Sequence, residues 1–185
     1  MARVPQVMMS SSGVPGAEVV PVEQYLAGMA CKRMSAGVLY RDGADRVLLV
    51  EPSYKPNWEI PGGGVEADES PWAAAVRELA EELGWDRPVG RLLVVDYVGA
   101  EGTRPDGVAF IFDGGVLDDG DLVGVTFPDG EILSAGFHTL GELRAKVKPL
   151  LAGRIAAAVD AARRGGTVLC EQGRPLDGQG GALMR

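Results

Sequence analysis

The order of apolar, turn-forming and helix-forming stretches predicts a mixed α/β domain. Three observations carry this expectation. Short β-leaning runs such as RMSAGVLYR (33–41), RVLLVE (46–51) and VAFIF (108–112) are bounded by glycine and aspartate turns. Helical patterns with start and stop signals alternate with those runs. A chain of 185 residues, 46% hydrophobic, suffices for one domain that buries roughly 70% of its unfolded surface.

Residues 1–31 read as an N-terminal arm, mobile to about Val20, with Glu23 to Met29 a short helix. Met1 to Gly28 holds one basic residue and no apolar run of the length a secretory signal needs, and nothing later approaches a membrane span. Cys31 and Cys170 are too few for a disulfide framework, so a reduced, cytoplasmic protein is the default expectation. The domain occupies residues 32–165. Arg33–Arg41 and Arg46–Glu51 form a hairpin across Asp42–Gly43, and Pro52–Asn57 is a loop that returns to extended structure at Trp58–Ile60. Trp58 is expected to pack rather than stack on a base.

Ser70 then caps a helix, Pro71 takes its first position and Gly84 ends it, which predicts a helix over 71–83. Val89–Val98, Val108–Phe112 and Ile132–Thr139 follow as strands, with polar loops at 99–107 and 113–121. Thr139 and Glu142 form a capping box over a helix to Val147, and Pro149 opens a last helix that Gly165 stops. His138, the single histidine, is expected to be structural. Residues 166–185 read as a glycine-rich tail that frays or docks against another surface.

Chemistry concentrates in IPGGGVEADESPWAAAVRELAEELGW, residues 60–85. Gly62 to Gly64 allow backbone to approach a ligand. In the following helix, Trp72, Val76, Leu79 and Leu83 fall on one face and are expected to face the core, with Trp72 buried. Glu78, Glu81 and Glu82 then cluster about 145° away in one patch. Arg77 offsets part of their mutual repulsion, and carboxylate oxygens of this kind suit Mg²⁺ or Mn²⁺.

The spacing is a long pattern in its own right. From Gly63, five residues lead to Glu69 and seven more to Arg77, followed by Glu78, Leu79, Ala80, Glu81, Glu82, Leu83, Gly84 and Trp85. This stretch closely resembles the signature box of the Nudix hydrolase family, with only Trp85 departing mildly as an aromatic in place of an aliphatic residue. The resemblance implies a Nudix α/β/α sandwich with a mixed β-sheet between helices, and hydrolysis of a diphosphate bond in a nucleoside diphosphate linked to another moiety. It implies Mg²⁺ or Mn²⁺ held by Glu78, Glu81, Glu82 and the Gly63 carbonyl, with Arg77 orienting the glutamates. It also assigns the catalytic set Glu78, Glu81, Arg77 and Glu131, the last as a further ligand or the base that activates water. A sensor that binds without cleaving, and a diphosphate isomerase of the same superfamily, stand as alternatives.

The expected partner is a small-molecule nucleoside diphosphate derivative, with homodimer formation left open. A net charge of −8 argues against long nucleic acids, which need clustered Lys and Arg. From Glu101 to Glu131 there are eight acidic residues against Arg104 alone. Pro105 lies close to, but out of register with, the proline of ADP-ribose-directed members of the family.

Overall fold

The computed structural model describes residues 21–176. The expected mobile arm to Val20 and residues 177–185 of the tail lie outside the described residues. The chain divides between Cys31 and Lys32 into two compact units. In the first, α1 spans Val22–Ala27 behind Pro21. Among the described residues no helix is long and apolar enough to cross a membrane.

The second unit is a mixed sheet with helices on both faces. Its strands are β1 (Arg33–Arg41), β2 (Val47–Pro52), β3 (Gly62–Gly64), β4 (Leu92–Val98), β5 (Gly107–Val116), β6 (Ile132–His138), β7 (Val168–Glu171) and β8 (Arg174–Pro175). They lie in the order β6-β2-β1-β5-β4-β7-β8, with β3 paired to β1. Central β1 runs parallel to β5 along its whole length. Its other edge is shared: Ser35–Gly37 pair with Gly64–Gly62, and Arg41 pairs with Val47. The glycine stretch is therefore itself a strand, laid against the middle of the sheet.

Alternation along β1 and β2 shows why helices are needed on both faces. Leu39, Val47 and Leu49 join a cluster with Leu143, Leu151, Ile155 and Ala158, from α3 (Leu140–Lys146) and α4 (Pro149–Arg164). Val38, Tyr40, Leu48 and Val50 point the other way, onto Ala74, Ala75, Leu79 and Leu83 of α2 (Pro71–Leu83). A strand apolar on both faces is stable only when both are covered.

Local signals placed the helix ends. Ser70 accepts the Ala73 N–H, Gly84 closes α2 at φ 65°, and Thr139 and Glu142 complete their capping box. Four sequence expectations change. The extended stretch at Trp58–Ile60 reduces to a bridge between Val50 and Glu59. Residues 113–116, expected as loop, continue β5, and a 3₁₀ turn at Asp119–Leu122 follows. Beyond Gly166, β7 joins the domain's own sheet parallel to β4, because Val94–Tyr97 offer a free edge.

The fourth change is the rotation of α2. Trp72 is 50% exposed, its indole N–H donating to the Val89 carbonyl at 3.3 Å, while Ala74, Ala75, Leu79 and Leu83 are buried. Relative to the expected stripe, the buried face is turned by roughly 60° at 100° per residue. Small alanines let the helix backbone approach the sheet, which the bulk of an indole would prevent. Leu79→Ala is therefore expected to cost about 2 to 5 kcal/mol and Trp72→Ala less than that. Thermal melts of both variants check it, and the reverse order would place Trp72 in the core.

Candidate active site

Turning α2 grades its three glutamates by depth, where the sequence pattern had set them together on a solvent patch. Glu82 enters the buried sector at 7% exposure, the Glu78 side chain lies at its margin at 15%, and Glu81 stands outside at 49%. Glu82 and Glu78 border the glycine strand, and Glu81 is joined to it through Arg77. The Gly62 N–H donates to Glu82 Oε2 at 2.7 Å. Gly62 is held at φ 139°, and a Cβ there would lie 2.2 Å from the Ala36 carbonyl oxygen, so only glycine permits this approach. At Gly63 a Cβ would lie 2.3 Å from Glu78 Oε1, so the carboxylate fills the space that the missing side chain leaves.

Arg77 ties the rest together. Its Nε and Nη2 donate to the two oxygens of Glu69 at 3.0 Å each, and Nη1 donates to Glu78 at 2.9 Å and Glu81 at 2.8 Å. Nη2 also reaches the Gly64 carbonyl at 2.9 Å. One guanidinium thus fixes the loop, the helix and two carboxylates, a geometry that a lysine ammonium cannot reproduce. Glu82 is left outside its reach. Burial, reinforced by Glu78 and Asp129 and opposed by the Gly62 N–H, pushes the Glu82 carboxyl up to about 8. Burial also raises Glu78, with Glu81 and Glu131 adding to it and Arg77 opposing.

Glu131 is exposed and sits just before β6, its N–H donating to Asp129 and its carbonyl accepting from Ser53. Its charge is felt at Glu78, so the fold brings it toward the helix glutamates across more than forty residues of sequence. His138 closes the same strand, roughly 23 Å away at 3.3 Å per residue. There it packs edge-on against Trp58 at 5.0 Å, and burial lowers its pKa. Trp58 packs against the α3/α4 cluster, with the Lys146 ammonium over its ring.

The donor set is all oxygen, the chemistry that hard divalent ions select. The cradle at Gly63, where a carboxylate presses on backbone, is the observation that fits such an ion. Among the described residues, no group of three His, Cys, Asp or Glu side chains by itself encloses a site. Mg²⁺ is ordinarily held by one or two carboxylates, with water and phosphate oxygens completing its shell. Beside the glycine strand opens a cavity of about 460 Å³, walled by Gly62–Gly64, Ala36 and Phe110. Arg33, Lys55 and Arg154 line both it and an adjoining cavity of about 390 Å³.

The profile of the NUDIX domain matches residues 32–159. The chain belongs to the Nudix hydrolase family. Human diphosphoinositol polyphosphate phosphohydrolase 3-alpha is 47% identical over 66 residues, 35% of this chain and 40% of that protein. The match therefore spans about two-fifths of that relative's length. Among solved Nudix-fold structures, a UDP-X diphosphatase superposes with a TM-score of 0.63 at 19% identity, covering 83% of this chain and 77% of its own. The NUDIX domain of Shewanella oneidensis NrtR, complexed with ADP ribose, gives 0.59 at 18% identity, covering 77% and 99%. These likenesses establish the Nudix fold, and the signature box lies wholly inside the matched residues.

The sequence missed Gly62 as the donor to Glu82, although the run of three glycines was a signal for close backbone approach. It missed the cations of the cleft altogether. Arg77 generates a pH prediction. It holds the Glu69 carboxyl below its ordinary value of 4.5, so the pair stabilises fully above that value and is lost as pH falls through the folded-state value. Arg77→Met is expected to lower Tm at pH 7 and to narrow its gap to the wild type as pH drops below about 4.5. Paired melts from pH 7 to pH 3 check this, and a gap independent of pH would remove Arg77 as the clamp.

Proposed function

We propose that this chain is a pyrophosphohydrolase that uses Mg²⁺ or Mn²⁺ to cleave the diphosphate bond of a small molecule of the nucleoside-diphosphate type, in the cytoplasm. The observation that carries the reading is the ladder of Glu82, Glu78 and Glu81, graded from buried to exposed, with Glu82 and Glu78 against the glycine strand beside a cleft. The likeness to a human diphosphoinositol polyphosphate phosphohydrolase supports it.

Glu78, Glu81, Glu82 and the Gly63 carbonyl would hold the cation. When bound, it supplies charge neutralisation at the diphosphate oxygens and acidifies a coordinated water. The chain's own groups do the rest. Arg77 keeps Glu78 and Glu81 on one side of the glycine strand, and Gly62 and Gly63 let the substrate approach backbone without a side chain in the way. The proton leaving water would go to a carboxylate on the open side of the ladder, and we assign that role to Glu131, which is exposed and whose charge acts on Glu78. Positioning and charge, rather than covalent catalysis, are what phosphoryl transfer requires.

Glu82→Gln is expected to abolish most Mg²⁺-dependent hydrolysis. Folding should survive, because glutamine keeps an oxygen for the Gly62 N–H and brings no charge into a buried position. Turnover with Mg²⁺ and a melt in chelator check this, and a large loss of Tm would make the residue structural. Steady release of two phosphate-bearing products separates hydrolysis from a binding-only sensor and from an isomerase.

Glu131→Gln is expected to lower kcat at least about tenfold with KM little changed, the signature of an interaction made in the transition state. Steady-state kinetics of the variant decide this, and wild-type turnover would return the base to the helix glutamates.

A further inference from the structure

The chain has 18 basic and 26 acidic residues, yet five of the basic ones, Arg33, Lys55, Arg104, Lys148 and Arg154, line a single cavity against two acidic ones, Glu59 and Glu101. They come from distant parts of the sequence: the start of β1, the loop after β2, the turn closed by the Glu101–Arg104 backbone bridge, and the N-terminal end of α4. Lys55 is paired with Glu59 at 2.9 Å. Arg154 is aimed by Asp96, which is fully buried, takes Nε and Nη2 at 2.9 and 2.7 Å on one oxygen, and accepts the Gly173 N–H on the other. Arg154 Nη1 is the nitrogen that this clamp does not engage.

Arg33, Arg104 and Lys148 differ, for among the described residues no ion pair joins them to a carboxylate. Arg33 is nevertheless held in place. Its Nε donates to the Pro105 carbonyl at 2.7 Å, and Gly107 leaves it room, since a Cβ there would lie 2.6 Å from its Cγ. Arg104 and Arg154 act on it as like charges, against the opposite charge of Asp106, whose carboxylate is already taken by Lys32 and Tyr97. Cations gathered in this way repel one another unless an anion joins them. The cavity that all five line has no aromatic wall and is closed on its apolar side by Val98, Val108, Leu150 and Leu151, Phe110 belonging to the neighbouring cavity that Arg33, Arg104 and Arg154 also line. It continues into the cavity walled by the glycine strand.

We propose that this end of the cleft binds a phosphate monoester carried by the moiety attached to the diphosphate, with Arg33, Arg104 and Lys148 as its cations and Arg154 as its fixed inner wall. The substrate is then phosphorylated at a second position besides the bond that is cleaved. The naming of the cleaved bond rests on the hydrolase reading above; the phosphate site itself does not. Guanidinium forks and an ammonium suit the three acceptor oxygens of a phosphate monoester, and such charge-assisted contacts are the strong ones. The same phosphate could belong to a phosphorylated cyclitol or to a nucleotide bearing a 2′-phosphate.

Calorimetric titration in chelator compares inositol hexakisphosphate, ADP-ribose 2′-phosphate and plain ADP-ribose on the wild type and on the double variant Arg104→Gln, Lys148→Gln. Both substituted side chains are exposed, so folding should be intact, and a melt confirms it. At least one phosphorylated probe is expected to bind tenfold or more tightly than ADP-ribose, and the double variant should lose roughly tenfold or more of that advantage. Which probe binds identifies the source of the phosphate. Equal affinity for all three probes, or an advantage that survives the double substitution, overturns the proposal. The titration needs no turnover. A parallel Mg²⁺-supplemented assay on a diphosphoinositol polyphosphate and ADP-ribose tests the hydrolase reading, so either can fail while the other stands.

Discussion

The close approach of α2 to the glycine strand is the constraint on which the site depends. Gly62 donates to Glu82 from a backbone conformation closed to other residues, and Glu78 occupies the space where Gly63 lacks a side chain. Neither contact survives if the helix stands further off. Ala74 and Ala75, facing the sheet at zero exposure, make that distance attainable. The same closeness turns Trp72 outward and decides which glutamate is deepest. Packing and chemistry are here one geometric fact, since the residues that set helix-to-sheet distance also set the depth of each carboxylate.

That geometry carries an electrostatic cost. A carboxyl pushed up to about 8 by burial stabilises the fold poorly when ionised. Arg77 offsets the charge of Glu69, Glu78 and Glu81 and leaves Glu82 with one backbone donor. A cluster of this kind does little for stability, in keeping with the perturbed ionisation found at functional sites. Elsewhere the sheet is held by ordinary means: two apolar clusters, capped helices and a buried Asp96–Arg154 pair fastening α4 to β4.

The cleft sets charges of both signs close together. Carboxylates gather behind the glycine strand, while Arg33, Arg104 and Arg154 line both cavities and Lys148 the adjoining one alone. A chain of net charge −8 repels polyanions at long range, so recognition of one has to be local. The cavity meets that requirement by collecting basic side chains from separate elements, one of which, Arg154, is fixed by a fully buried aspartate.

Local information determined a great deal. Ser70, Pro71 and Gly84 bounded α2 at Pro71–Leu83, and Thr139 with Glu142 and Pro149 with Gly165 marked the next two helices, because caps act within a turn of the residues they end. The mixed α/β class followed from strand periodicity and helix signals, and the family from the resemblance of the stretch between Gly63 and Trp85 to its signature box. Tertiary structure decided the rest. The rotation of α2 was hidden because Trp72 dominates any apolar stripe by size, whereas the true contact is chosen by how closely two backbones can pack. The strand at Val168–Glu171 was hidden because four residues beside glycines form a strand only when β4 offers an edge. The placing of Glu131 near Glu78, and of Arg33, Arg104 and Lys148 around one cavity, joins residues tens of positions apart. No periodicity encodes such a meeting, because it exists only once the sheet order has been set.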